Sequence, residues 1–184
     1  MATFRHKVFV SYHHANDQWY KNRFEAMFSN YYNILVSKSV QIGDIDINLK
    51  TDTIRQKIRD VYLRDSTVTV VLIGSETWKR KHVDWEIGAS IRHTQFNPRM
   101  GLSGILLPSY NTHYGIQYGK FNHCSIPPRL SDNIKRGYAN IYDWSDNPQT
   151  VQAWIHTAFE NRNKIIPDNS YPSFVNNRTI HTWC

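Results

Sequence analysis

The stretch that most constrains the fold is residues 65–91, which has the order strand, turn, helix. Val68–Ile73 is an apolar, β-branched run of strand length, typical of a strand that is buried on both faces of a parallel sheet. Gly74 ends this run, and Ser75 is a suitable N-cap for the helical segments that follow. The stretch therefore predicts a central buried strand joined to a helix by a short turn.

The helix that ends this stretch has an apolar stripe. Val83, Ile87 and Ile91 recur at four-residue spacing, which places them on one face of a helix. Glu86 lies one position away from the stripe. We therefore expect its carboxylate to be half-buried beside a cleft rather than fully solvated.

The rest of the chain repeats the alternation of strand and helix. Further strands are predicted at 7–12, 34–36, 102–107 and 138–142. Helices are predicted at 18–32 after a cap at Asn16 or Asp17, from 52 or 53 to about 64, and after a cap at Asp146 or Asn147 with Pro148 in the first turn. This alternation implies an α/β fold with helices on both faces of a parallel sheet. Right-handed crossovers then give a flavodoxin-like open sheet of about five strands, in order 2-1-3-4-5.

Two segments do not follow this pattern. Residues 109–132 are rich in Tyr, His, Asn and Pro without a clear period, which predicts a long surface excursion of the functional kind. Residues 163–184 keep several aromatic side chains and are expected to dock on the body. We therefore expect one domain at 1–162 with a docked C-terminal extension at 163–184.

Composition limits the class of protein. The chain has 184 residues, of which 40% are hydrophobic, so it can bury a sizeable core. No apolar run approaches the roughly 20 residues of a spanning helix, and residues 1–10 lack a signal-peptide core. Two cysteines, Cys124 and Cys184, make no disulfide framework and fit a reducing cytosol. We expect a cytoplasmic protein with no membrane partner.

The net charge of +7 is compatible with nucleic-acid binding, but the basic residues are dispersed. Their densest run is only Lys79-Arg80-Lys81, and no reading motif accompanies it. We therefore expect no nucleic-acid partner. A small anionic substrate such as a dinucleotide explains the basic surface equally well.

Several common kinds of site are disfavoured. His82, Asp84 and Glu86 are spaced at i, i+2, which does not converge on one helix face, so we expect no metal. Gly74 stands alone, without the Gly-rich phosphate loop of dehydrogenases, so hydride chemistry is disfavoured. Ser11 lacks the Gly-x-Ser-x-Gly elbow of a hydrolase nucleophile and is interpreted as a hydrogen-bond donor or a strand cap.

Ligands of open α/β sheets bind at the carboxyl ends of the strands, at the point where the strand order reverses. Three loops converge there in the predicted topology: 11–16, 41–48 and the segment after Gly74. The helix that bears Glu86 follows the third loop.

These residues resemble a known family. KVFVSYHH followed by a helix is similar to the first box of TIR domains, and VTVVLIGSETW with HVDWEIGASI resembles their third strand, its loop and the helix of the catalytic glutamate. The combination, followed by GILL, looks most like the TIR-like proteins of bacterial Thoeris anti-phage systems, the ThsB type. The resemblance covers about residues 5–107.

The resemblance implies a flavodoxin-like fold and cleavage of NAD, as substrate rather than cofactor, at the nicotinamide–ribose bond. It implies an ADP-ribose-derived signal that activates a partner effector. Glu86 falls on the catalytic glutamate. Ser11, Tyr12 and His13 fall on the strand end that borders the nucleotide, and Asp44 falls in the loop that shapes the site.

The sequence departs from the family at two places. His82 stands where members commonly have Trp, and the 41–48 loop has no residue that aligns with certainty. Tyr12, His13 and Trp85 can stack on a planar, partly cationic ring, although Trp85 also suits helix packing.

One carboxylate is chemically sufficient for this reaction, because nicotinamide leaves as a neutral group and needs no general acid. A carboxylate can bind the ribose diol and stabilise the oxocarbenium-like transition state. Two alternatives stay open: a non-catalytic TIR adaptor that works by self-association, and a receiver-like or nucleoside-transferring protein of the same fold. Expected partners are NAD, a downstream effector, a phage-derived trigger and a second copy of the chain.

Overall fold

A computed structural model describes residues 5–31, 33–36 and 48–184. Within them, five parallel strands form one sheet in the order β2-β1-β3-β4-β5. The strands are β1 (His6–Ser11), β2 (Ile34–Val36), β3 (Val68–Ile73), β4 (Gly101–Leu106) and β5 (Asn140–Asp143). The predicted fold class and strand order are confirmed. The predicted site residue Asp44 lies outside the described residues.

Six α-helices are described with the sheet. They are α1 (His14–Phe28), α2 (Thr51–Lys57), α3 (Lys81–Ser90), α4 (Pro108–Tyr114), α5 (Pro128–Lys135) and α6 (Pro148–Lys164). A π-helical turn at Ile58–Tyr62 continues α2, and 3₁₀ turns lie at Thr77–Lys79 and His123–Ser125. None of the helices in the described ranges is long and apolar enough to cross a membrane.

The core lies on both faces of the sheet. Successive side chains of the central strand β3 point to opposite faces, and most of them are apolar on each face. Val70 and Leu72 of β3 pack with residues of α1 and α6. Val71 and Ile73 point to the opposite face and pack with residues of α3 and α5. The sheet is therefore covered by helices on both sides, as the alternation of elements predicted.

Helix α1 begins four residues before the predicted start. His13 has extended backbone angles and precedes the helix without a side-chain cap, so Asn16 and Asp17 lie in the first turn rather than at the cap. An acidic side chain is favourable in a first turn because it faces the positive end of the helix dipole. Of the two caps predicted for the last helix, Asp146 and Asn147, the structure shows Asn147, whose Oδ1 accepts from the N–H groups of Gln149 and Thr150.

Residues 109–132 form a surface excursion only in part: 111–124 are exposed or half-buried, whereas 125–131 are buried. The whole segment contains most of α4, a 3₁₀ turn and the first half of α5, and both helices begin with a proline that suits the first helical position. Arg129 and Leu130 are fully buried. The helices are too short to give a readable hydrophobic period, which explains why the sequence did not predict them.

The C-terminal segment runs along α3. Asn177 Oδ1 accepts from the backbone N–H of Lys81 at 2.9 Å, so a residue from the segment caps the helix, and Phe174 is 5% exposed. Cys124 and Cys184 form a disulfide, with their Cα atoms 5.3 Å apart. The expectation that the two cysteines make no disulfide framework is therefore corrected. The two residues are 60 positions apart, and only the path of this segment brings them together.

Candidate active site

A serine and a glutamate meet at the carboxyl end of the interior strand β1. Ser11, the last residue of β1, donates a hydrogen bond from Oγ to Oε2 of Glu86 in α3 at 2.5 Å. Strand β1 pairs with β2 on one side and with β3 on the other, and Ser11 lies opposite Val71. The strand order reverses between β1 and β3, so the contact lies at the switch point where such sheets bind ligands.

Glu86 is buried more deeply than the sequence predicted. It is 1% exposed, and Ser11 is fully buried. The expectation of a half-buried carboxylate is corrected, because α3 is covered by α2, α5 and the C-terminal segment as well as by the sheet. Every residue from 83 to 90 is buried as a result, and not only the stripe of Val83 and Ile87.

Burial changes the protonation of this carboxyl group. It raises the pKa of Glu86 to about 8, although the hydrogen bond from Ser11 acts in the opposite direction. The raised pKa keeps the carboxyl protonated at neutral pH in this conformation. An acid whose pKa is strongly shifted, at the edge of a sheet where ligands bind, is a candidate for a functional group.

Three histidines are near these two residues in the chain: His13 and His14 follow Ser11, and His82 precedes Glu86 by one helical turn. The His14 ring is 4.5 Å from the Tyr12 ring and 5.0 Å from that of His82, whose Nε2 is 3.0 Å from the backbone oxygen of Tyr12. Burial, followed by neighbouring positive charge, lowers the pKa of His13 and of His14 to about 4. These rings are therefore neutral at physiological pH. Tyr12 is itself buried, and its hydroxyl donates to Gln18.

The basic run at 79–81 surrounds a carboxylate. Lys79 Nζ and Arg80 Nη2 each lie 2.7 Å from an oxygen of Glu76. The hydrogen bond from Lys79, together with the positive charges of both side chains, holds the pKa of that carboxyl below its usual range. Arg80 and Glu76 also act electrostatically on His13. Lys79 and Arg80 are thus part of a charged network, whereas Lys81 Nζ lies 5.2 Å from the centre of the Trp85 ring.

Trp85 does not share the Ser11–Glu86 contact. Its indole Nε1 donates to the backbone oxygen of Phe174 at 2.8 Å, and its ring packs with Phe9 and Ile58. Trp85 is 6% exposed, so in this structure it serves the packing of α3.

A second buried acid near the site was missed by the sequence analysis. Thr77 Oγ1 donates to Asp17 Oδ2 at 3.2 Å and accepts from the N–H of Gly74 at 2.9 Å. Burial raises the pKa of Asp17 to about 6. A Cβ on Gly74 would lie 2.4 Å from Asp17 Oδ1, so this approach requires glycine. The network ties the start of α1 to the end of β3.

An ion pair on the far side of α3 was also missed. Arg129 Nε donates to Asp84 Oδ1 at 3.0 Å, and both side chains are buried. Arg129 also donates to the backbone oxygens of Asn169 and Tyr171, and Asp84 Oδ2 accepts from the N–H of Phe174. The pair therefore joins α3, α5 and the C-terminal segment.

A comparison with protein families gives this geometry a context. The model of the Thoeris protein ThsB, TIR-like domain, matches residues 9–112, which is more than half of the chain. The chain belongs to this family. The match includes Ser11, His13 and Glu86, and the predicted ThsB-type resemblance is confirmed. A search of curated proteins finds no match.

The ThsB family match makes this chain a defence-related TIR-domain protein. Its site brings together one acid and one hydroxyl at the ligand-binding edge of the sheet. Within the part of the chain that the structure describes, no group of three or more His, Cys, Asp or Glu side chains could hold a metal ion. The chemistry available from these side chains is acid–base, hydrogen-bonding and electrostatic.

Proposed function

We propose that this ThsB-type TIR protein cleaves NAD⁺ at the nicotinamide–ribose bond, with Glu86 as the catalytic residue. The product in this proposal is an ADP-ribose-derived nucleotide, linear or cyclic, that activates a partner effector. The observation that carries the proposal is the contact between Ser11 and Glu86 at the switch point of the sheet. Ligands of this fold class bind at that place.

The chemistry requires one acid and little else. When the bond from ribose C1′ to the nicotinamide nitrogen breaks, its electron pair leaves with nicotinamide, and the ribose gains oxocarbenium character. The charge on the pyridinium ring is neutralised in the same step, so no proton has to be supplied to the leaving group. A carboxylate beside the ribose stabilises the positive charge that develops in the transition state. Ribose C1′ then bonds to water, to the adenine or a ribose hydroxyl of the same molecule, or to a small metabolite, and an attacking O–H group releases its proton to solvent.

The structure adds one requirement to this mechanism. Glu86 is buried, protonated at neutral pH and bonded to Ser11, so substrate entry must open this contact and the carboxyl must ionise. The pyridinium charge of NAD⁺ favours the ionised form, because an opposite charge nearby lowers the pKa of a carboxyl. Ser11 is then free to donate its hydrogen bond to a ribose hydroxyl.

The proposal is tested by following nicotinamide release from NAD⁺ under conditions that activate the wild-type protein, including phage infection. Glu86→Gln keeps the shape of the side chain but cannot become negative, so turnover should fall by about two to three orders of magnitude. NAD⁺ binding should change little. Near-wild-type turnover by Glu86→Gln would show that Glu86 is not catalytic.

The burial of Glu86 favours a second function, that of a TIR adaptor without catalysis. An acid that is 1% exposed is closed to substrate in this conformation. The adaptor function predicts that Glu86→Gln still supports defence against phage in cells, with no nicotinamide release by either protein. The catalytic function predicts that the same variant loses defence while it remains folded.

A further inference from the structure

A polar cavity of about 420 Å³ lies between α2, the end of α3 and the C-terminal segment, and neither Ser11 nor Glu86 lines it. It is lined by Asp52, Thr53, Arg55, Gln56, Arg92 and Asn169. We propose that this cavity is a binding site for a phosphate group, held between the guanidinium groups of Arg55 and Arg92. The proposal does not depend on whether the protein cleaves NAD.

Arg55 has too few partners for a guanidinium that is mostly buried. Its Nη1 and Nη2 donate to two neutral oxygens, Oγ of Ser173 at 3.1 Å and Oδ1 of Asn169 at 3.3 Å. Nε is buried and has no partner within the described residues. Among the described residues, Asp52 is the one carboxylate within 4.0 Å of Arg55. The Asp52 side chain is 89% exposed to water, whereas the Arg55 side chain is 13% exposed. The charge of Arg55 is therefore poorly compensated.

Arg92 faces the same cavity as Arg55. It is exposed, and it has no hydrogen bond or ion pair with the residues that the structure describes. Burial lowers the pKa of Arg55, and the positive charges of Arg129 and Arg92 lower it further, against the opposing effect of Asp84 and Asp52. An anion in the cavity would relieve this repulsion between like charges.

The donors around the cavity suit a phosphate group better than a carboxylate. Guanidinium groups bind phosphate through pairs of parallel hydrogen bonds, and Arg92 has all five of its N–H donors available among the described residues. Thr53 and Gln56 can add neutral donors from α2. A phosphate offers more acceptor oxygens and more negative charge than a carboxylate, so it can occupy both guanidinium groups at once.

The place of the cavity suggests what phosphate binding would do. Asn169, which accepts from Arg55, also donates from Nδ2 to the backbone oxygen of Gly88 in α3 at 3.0 Å. A phosphate held by Arg55 and Arg92 would therefore fasten α2 and α3 to the C-terminal segment. The volume exceeds that of the free ion, so the phosphate of a small molecule such as a nucleotide can also enter.

Isothermal titration calorimetry tests the proposal, with inorganic phosphate, AMP and acetate as probes in phosphate-free buffer at neutral pH. Arg92→Ala is the main variant, because this exposed side chain has no partner among the described residues to lose. We expect its affinity for inorganic phosphate to fall by about tenfold or more, the scale of one charge-assisted contact. Arg64→Ala is the matched control, since Arg64 is exposed and does not line the cavity.

A second variant tests the other guanidinium. Arg55→Lys keeps the positive charge but loses the planar fork, so it should weaken phosphate binding while thermal unfolding shows that the protein is folded. Tighter binding of AMP than of inorganic phosphate, with the same dependence on Arg92, would support a nucleotide ligand, and equal binding would support the free ion. The proposal is overturned if Arg92→Ala binds phosphate like the wild type, if Arg64→Ala weakens binding equally, if acetate binds as tightly as phosphate, or if no probe binds at millimolar concentration.

Discussion

Asp84 and Glu86 lie two positions apart on α3 and face opposite partners. Asp84 accepts from Arg129 at 3.0 Å, while Glu86 accepts from Ser11 at 2.5 Å. Successive residues of an α-helix are rotated by about 100°, so this spacing places the two carboxyl groups on nearly opposite sides. The ion pair on one side therefore fixes the rotation of the helix that presents Glu86 on the other.

The first prediction concerns this ion pair. Arg129→Met should lower the free energy of unfolding by about 3–5 kcal/mol, because it leaves the buried carboxylate of Asp84 without its charged partner. The free energy of unfolding of Arg129→Lys should lie between those of Arg129→Met and the wild type, since a lysine cannot reach all the acceptors of the guanidinium. Urea denaturation measures these differences.

Arg23→Ala is the control for the ion-pair prediction. Arg23 and Asp146 also form an ion pair, at 2.7 Å, but their side chains are 46% and 56% exposed. Water screens such a pair, so its loss should leave the unfolding midpoint almost unchanged. Equal destabilisation by Arg23→Ala and Arg129→Met would contradict the view that burial makes the Asp84 pair important.

The strands and their order could be predicted from the sequence, but the long-range contacts that bury Glu86 and pair Asp84 could not. Strand β3 was predicted with its observed bounds because an apolar, β-branched run between turn residues is a local signal. The meeting of Ser11 with the helix of Glu86 followed from the topology alone. The depth of burial of Glu86 depends on α5 and the C-terminal segment, which leave no periodic pattern near residue 86.

Most of the features that the sequence did not predict are polar contacts between residues far apart in the chain. Asp84 and Arg129 are 45 positions apart, and Arg129 lies in a region that was expected to be a surface loop. The partners of Asp84 in this pair and of Cys124 in the disulfide depend on how distant segments dock. A single sequence shows the polar residue but not the side chain that satisfies it.

The second prediction concerns the disulfide. Cys184→Ser should destabilise the protein by up to about 4 kcal/mol, the entropy expected when a bridge closes a loop of 60 residues. Thermal unfolding of the wild type should show the same loss after reduction with a thiol, and reduction should leave Cys184→Ser unchanged. Mass spectrometry after alkylation counts the free thiols. Two alkylated cysteines in the untreated wild type would contradict the pairing.

The third prediction concerns stability and pH. The pKa of Glu86 is about 8 in the folded protein against an ordinary value of 4.5. Between these pH values the unfolded chain loses its proton while the folded protein keeps it, so the free energy of unfolding falls as pH rises, by at most roughly 1.4 kcal/mol per pH unit. Glu86→Gln has no ionisable group at this position. Its free energy of unfolding relative to that of the wild type should therefore increase from pH 4.5 to pH 8.

Urea denaturation of both proteins at the two pH values measures this difference. His13 and His14, whose pKa values are lowered to about 4, make stability rise with pH up to their ordinary value of 6.5. That contribution is the same in the wild type and in Glu86→Gln, so it cancels in the comparison. A difference in stability that does not change with pH would show that Glu86 ionises normally in the folded protein.

The last prediction concerns the pH dependence of NAD⁺ cleavage. If the active form carries an ionised Glu86, kcat/KM should rise about tenfold per pH unit below the pKa of about 8 and become constant above it, because this ratio reports ionisation in the free enzyme. The rising limb of kcat should lie at lower pH, since the pyridinium charge of bound NAD⁺ favours the carboxylate.

Nicotinamide release from the activated protein across this pH range gives both profiles, with enzyme-free samples to subtract the decomposition of NAD⁺ in alkali. The neighbouring imidazoles of His13 and His14 ionise near pH 4 and cannot produce a limb near pH 8. Glu86→Gln should be slow at every pH and should lack the limb. A flat wild-type profile of kcat/KM, or the same limb in Glu86→Gln, would assign the ionisation to another group and remove Glu86 from the mechanism.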